Sequence, residues 1–274
     1  MRRNSHTCIA ILAIAILAGL GTGCAKLQAR DKLNHGVQAY TGGHYDEAIE
    51  LFKQSKALDP DLMNARLYLA AAYASQYIPG APSEDNVRMG NQAIEEYKEV
   101  LEKDPNNLNA IDGIGGLLYN MGGTPFDRNK FEESKKYHMM HINQRPQDPE
   151  PYYWIGVIDW SLTYRANKEA RANYNANARK TLREEEPMAP AVRDDFAKNY
   201  GSLIDEGIAD LNKAIEIKPD YDDAMAYLNL LYRQKADTET TADARANDVK
   251  LAEELVSKVK EIKQNRLLNP TPSS

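Results

Sequence analysis

The chain has 274 residues, with 40 acidic side chains against 34 basic ones, a net charge of −6 with histidines neutral. An acidic excess of that size excludes general electrostatic binding of nucleic acid. The length suffices for one large domain or a repeat array.

In chain order, a leader comes first. Arg2 and Arg3 precede a nearly unbroken apolar run from Ile9 to Leu20, then Gly21-Thr22-Gly23-Cys24. An apolar core of about a dozen residues suits an export signal, whereas a spanning helix needs roughly 20. Residues 1–23 are therefore expected to be a signal peptide. Small residues leading to a Cys resemble the bacterial lipobox, and the resemblance implies that Cys24 is lipid-modified and becomes the new N-terminus. That pattern usually carries Leu three residues before the Cys, where this chain has Gly21. Cleavage after Ala25 is the alternative, since Gly23 and Ala25 also satisfy the small-x-small rule. Cys8 leaves with the leader. The mature chain then holds 40 acidic and 32 basic residues and, with Cys24 alone, no internal disulfide.

Four prolines punctuate the rest of the chain: Pro60 in "LDPD", Pro105 in "KDPN", Pro146 in "QRPQ" and Pro219 in "IKPD". Twelve residues before each lies a small one, Ala48, Ala93, Ser134 or Gly207. Eight before come Phe52, Tyr97, His138 and Leu211. Five before come Ser55, Val100, His141 and Ala214, and ten after come Ala70, Gly115, Gly156 and Asn229. Apolar residues gather around these marks at helical spacing, as in "AIELF", "AIEEY" and "GIADL". The physical reading is a helix, a tight turn marked by Pro, and the next helix. Small residues let neighbouring helix axes approach, and the bulky residue fills the remaining gap.

This spacing resembles the tetratricopeptide repeat (TPR), with its Gly–Tyr and Ala–Phe pairs and closing Pro in units of about 34 residues. The resemblance implies an all-α, right-handed solenoid of about five helix-turn-helix repeats over 24–274. The expected repeats are 29–62, 63–107, 108–148, 149–221 and 222–266, the last ending in a charged closing helix. Successive prolines are 45, 41 and 73 residues apart, so the excess over the unit is 11, 7 and 39. Offsets across the Pro turn never change, so the extra length falls between the two helices inside a repeat, at 76–90, 121–129, 162–200 and 235–243. Equivalent turns of a solenoid stack along one edge, so these insertions should crowd together.

In that family the first helices line a concave face. Carried across by offset, its residues here include Tyr40, Leu67, Ala71, Asp112, Tyr119, Asn120, Tyr153, Val157, Trp160, Leu230, Arg233 and Gln234. Tyr153, Val157, Trp160 and Tyr164 share one helical stripe. Aromatics there suit a peptide or an amphipathic helix, so Tyr40, Tyr119, Asn120, Tyr153, Val157, Trp160 and Tyr164 are the expected partner-binding residues. The other reading makes the stripe core beneath the 162–200 insertion. "RANKEARANYNANARKTLR", residues 165–183, is basic enough to meet an anionic lipid or acidic partner, or is a solvated helix face. His138 and His141 stand at i, i+3 without a third ligand nearby, so packing outweighs metal binding.

No nucleophile–base grouping or carboxylate pair stands out, and no cofactor or metal is expected. The reading is a non-enzymatic, exported, lipid-anchored scaffold. It would bind proteins or peptides through its concave face and meet the membrane through Cys24. It resembles the TPR lipoproteins of envelope assembly. Ala25 after the Cys favours the outer membrane, facing the periplasm, with a soluble periplasmic protein as the alternative. The rival is an enzyme or small-ligand binder with a site formed by the insertion over Trp160.

Overall fold

The computed structural model describes the backbone of residues 4–179, 181–183 and 186–268, and side chains from residue 23 onward except Asn177. The side chains of the expected signal peptide thus lie outside the described residues up to Thr22. The described residues fold into ten helices that form two compact units, divided between Asp127 and Arg128. The first unit holds α1 (Asn4–Thr41), α2 (Tyr45–Leu58), α3 (Met63–Gln76), α4 (Glu84–Lys103) and α5 (Leu108–Gly123). The second holds α6 (Arg128–Gln144), α7 (Pro149–Asn177), α8 (Pro190–Ile217), α9 (Asp222–Ala236) and α10 (Ala242–Leu268). The expected third repeat, 108–148, is therefore shared between the units.

All four Pro turns are built by the same backbone hydrogen bonds. The amide of the residue before Pro donates four residues back: Asp59 to Ser55, Asp104 to Val100, Arg145 to His141 and Lys218 to Ala214, at 2.8–3.0 Å. Two residues after each Pro, an amide returns to the pre-Pro carbonyl, as Leu62 does to Asp59 and Tyr221 to Lys218. Proline's ring bars the preceding residue from helical geometry. Accordingly Asp59, Asp104 and Lys218 take φ of −140°, −133° and −126° with ψ of 91°, 83° and 89°. The helix stops because the next residue makes it stop.

Small and bulky residues meet as their offsets imply, with one shift. A Cβ on Gly36 would lie 2.5 Å from the Phe52 ring, and one on Gly156 would lie 2.4 Å from Leu211 Cγ. Against Tyr97 the close glycine is Gly113, at 2.5 Å, two residues before the expected Gly115. Gly113 stands eight residues after its Pro, and the same offset gives Tyr68, Trp154 and Tyr227 elsewhere. Tyr68 stacks on Phe52 with centroids 5.6 Å apart, and Trp154 stacks on His138 at 6.0 Å. In these three repeats the residue eight before the Pro therefore faces the residue eight after it. Ser55, five before its Pro, donates from Oγ to the buried Ala29 carbonyl at 2.7 Å, which pins α2 to α1.

Much of the extra length is helix. α7 runs 29 residues and α8 runs 28, so the expected 162–200 insertion is largely an extension of both helices beyond the repeat. From Val157 to Glu186 the sequence holds no Gly or Pro to break the helix, and Pro190 opens α8 at its first turn. Ala166, Met188 and Phe196 from the extension join Ile204, Ile208, Leu211, Leu228 and Leu231 in one buried cluster. Within each unit the extra segments come together. Tyr77 and Met121 both flank Gly90 in the first unit, and Asn167 bonds Asp237 in the second.

Candidate aromatic pocket

The unbroken α7 carries its stripe along one face, which α9 crosses. Val157 does not belong to the surface: it is 1% exposed. Its side chain is short, and in sequence it lies between Tyr153 and Trp160, whose rings both meet Tyr227 on α9. Tyr153 is half-buried, its ring 5.1 Å from Tyr221 and 5.8 Å from Tyr227. The Tyr221 hydroxyl donates to Glu150 Oε2 at 2.6 Å; burial first, then Glu150, raises its pKa. Trp160 stacks on Tyr164 at 5.2 Å and meets Tyr227 edge-on at 5.1 Å. Tyr164 is exposed at the rim. The stripe is thus buried at Val157 and open at its far end.

That far end is one wall of a pocket of about 650 Å³. Trp160, Leu230, Arg233 and Gln234 come from the first helices, α7 and α9, while Asn167 lies on the extension of α7 and Arg245 and Val249 on α10. Asp237 closes one side and is fully engaged. Its Oδ2 accepts from Arg171 Nη2 at 2.7 Å and Asn167 Nδ2 at 3.1 Å, and its Oδ1 accepts from Arg245 Nη1 at 2.9 Å. Arg171, in the middle of the basic run, is 5% exposed and also donates to the carbonyls of Arg183 and Glu186. At this position the run is a strut, since a buried guanidinium must have its donors paired. Gln234 is 6% exposed, and neither its Nε2 nor its Oε1 has a partner among the described residues.

In the first unit Tyr40 is half-buried, its hydroxyl 3.1 Å from Ser75 Oγ and its ring 5.5 Å from Tyr45 and 6.4 Å from Tyr68. A smaller pocket of about 430 Å³ lies between α3 and α5, lined among others by Leu67, Tyr68, Ala71, Tyr97, Asn109 and Asp112. Gly113 leaves the Tyr97 ring uncovered by an aromatic there, and burial pushes its hydroxyl up to about 12. Tyr119 is half-buried and Asn120 exposed on α5, and neither lines that pocket. Two of the aromatic residues that matter, Tyr68 and Tyr227, lie outside the expected site residues. Their signal in the sequence is an aromatic eight residues after Pro.

His138 and His141 are buried. Burial, with His141 beside it, holds the His138 imidazole down at about 4, so it packs as a neutral ring against Trp154. Among the described residues no cluster of three or more His, Cys, Asp or Glu could hold a metal ion. Among the residues whose side chains are described, from Gly23 onward, no helix is long and apolar enough to cross a membrane. Cys24 is exposed on α1.

No family model and no curated protein matches this sequence. Solved structures do match it. MamA is 16% identical over 90% of this chain and 98% of its own, with a TM-score of 0.57. MamA from Desulfovibrio magneticus RS-1, residue 41 to its end, is 15% identical over 87% and 97%, at 0.56. YrrB, described as a TPR protein with an unusual peptide-binding site, is 12% identical over 86% and 87%, at 0.51. Likeness at such identity shows the fold: this chain is an all-α solenoid of the TPR kind.

Proposed function

We propose that this chain is an exported, lipid-anchored scaffold of the bacterial envelope that binds proteins or peptides on the face lined by its first helices. The observation that carries the binding half is the Trp160–Tyr164 stack, an aromatic platform left open on a first helix beside a pocket large enough for side chains. Peptide binding as described for YrrB fits a surface of this kind. A photo-crosslinking residue replacing Tyr164 should form adducts with a discrete partner in intact cells. The same residue replacing Met139, exposed on the second helix α6, should not. Equal labelling from both positions would remove the first-helix face as the binding surface.

The anchoring half rests on Cys24, the small residues before it and its exposure. Gly23, Cys24 and Lys26–Gln28 are exposed, and the first buried side chain is Ala29. Cys24 thus stands clear of the core, five residues before it begins. Two or more acyl chains hold a protein on membranes far more firmly than one. Cys24→Ser should move the protein from the membrane to the soluble fraction of broken cells, and wild type already found in the soluble fraction would end the anchor reading. Ala25 following Cys24 favours the outer membrane, facing the periplasm.

A further inference from the structure

We propose that the pocket beside Trp160 recognises a large apolar side chain joined through a peptide group to a carboxylate. The proposal rests on the partner-binding reading above and specifies the chemistry of what is bound. Three features of the pocket each point to one part of that ligand.

The first is Gln234. Buried polar side chains nearly always find partners, because an unmet amide loses its water and gains nothing. Gln234 is buried on the pocket wall with both ends of its amide unmet among the described residues. One N–H donor beside one C=O acceptor is the complement of a peptide group, whose carbonyl accepts from Nε2 while its N–H donates to Oε1.

The second is Arg233, adjacent on α9 and exposed. Its Nε donates to Asn229 Oδ1 at 3.1 Å, and its two Nη groups make no hydrogen bond among the described residues. A guanidinium presenting that edge suits a carboxylate bidentately. Among the described residues one carboxylate lines the pocket, Asp237, and it is already held by Arg171 and Arg245. The pocket therefore carries positive charge in a chain whose net charge is −6. Anions are drawn to it and cations are not.

The third is the apolar wall of Trp160, Leu230 and Val249, which has room for one large side chain within about 650 Å³. A carboxylate next to such a side chain has two sources, an acidic residue inside a segment or the free end of a chain.

Calorimetric titration of the intact protein with four short peptides tests the proposal. They are Ac-Gly-Phe-Glu-Gly-NH2, its Gln counterpart, its Ala-Glu counterpart, and Ac-Gly-Phe-Gly with a free C-terminus. Removing either the carboxylate or the ring should weaken binding roughly tenfold or more. The free-ended peptide binding more tightly than the Phe-Glu peptide assigns the carboxylate to a chain end, and the reverse assigns it to an interior acidic residue. Arg233→Gln should erase the preference for Glu over Gln. Gln234→Leu should weaken binding about tenfold while leaving the melting temperature unchanged or higher, because it removes an unmet buried amide. A lower melting temperature with unchanged binding would make Gln234 a packing residue and overturn the proposal. Equal binding of the neutral Phe-Gln peptide, or no binding of any peptide at about 1 mM, also overturns it. If the Tyr164 position crosslinks a partner while no peptide binds, this proposal fails and the scaffold reading stands. If neither occurs, both fail.

Discussion

Lys135→Met should destabilise the second unit by about 3 kcal/mol at pH 8, the cost of leaving a buried carboxylate without its counter-charge. Lys135 Nζ on α6 lies 2.9 Å from both oxygens of Asp159 on α7 and 2.9 Å from Glu206 on α8. Asp159 is fully buried, and Asp210 adds a third carboxylate to the group around one ammonium. Burial pushes Asp159 up to about 7 in spite of Lys135, and pushes Asp210 up to about 6.

The pH dependence follows from those directions. A carboxyl raised above its ordinary value of 3.8 binds more protons folded than unfolded, so it costs stability above its folded pKa and the cost fades on acidification. Removing Lys135 raises Asp159 further. The deficit of the variant should therefore shrink between pH 8 and pH 5.5, and adding Asp159→Asn should recover most of it. His138, held down at about 4, works in the opposite sense, losing stability as pH falls below 6.5. It is present in both proteins and cancels in the difference. Denaturant unfolding at the two pH values checks this. An equal deficit at both would mean that Lys135 acts through its packed methylenes instead.

Phe196→Ala should cost about 3–5 kcal/mol, as large-to-small changes at fully enclosed aromatic sites do. Phe196 is among the most deeply buried large side chains, and it sits on the part of α8 that lies beyond an ordinary repeat. Its ring stacks on Tyr200 at 5.3 Å and shares a cluster with Met188, Ala166 and Ile204. If the extension were a loose insertion, losing this ring would matter little. Limited proteolysis should show new cleavage between α7 and α8 in the variant, along with an earlier unfolding midpoint. A stability within about 0.5 kcal/mol of wild type would show that the extension does not share the core.

These sites show which parts of the structure could be read from the residues alone. The Pro turns were legible because their cause is local: one ring, acting on its neighbour, ends a helix in the same way at Pro60, Pro105 and Pro219. The number of extra residues was legible by subtraction, but their conformation was not. Offsets count residues without saying that "RANKEARANYNAN" would continue α7, although its Ala, Arg, Lys and Glu favour helix. The stripe was legible as a face and not as a surface. Whether Val157 or Trp160 meets solvent depends on where α9 crosses α7, a tertiary fact that helical periodicity does not contain. The pairing of Arg171 with Asp237, 66 residues apart, was likewise invisible, since both look like ordinary solvated charges.

The two kinds of junction also differ in what they let the gene do. Every turn at a Pro carries the same amide-to-carbonyl bonds and the same spacing, so a codon gained or lost there would misplace a whole helix against its neighbour. The junction inside a helix pair has no such register. It holds seven residues between α3 and α4 and twelve between α7 and α8, and the helices leading into it can lengthen as well. Length added at these junctions leaves the register of the Pro turns untouched. Novelty gained there would alter the neighbourhood of the Trp160 pocket while leaving the repeat framework untouched.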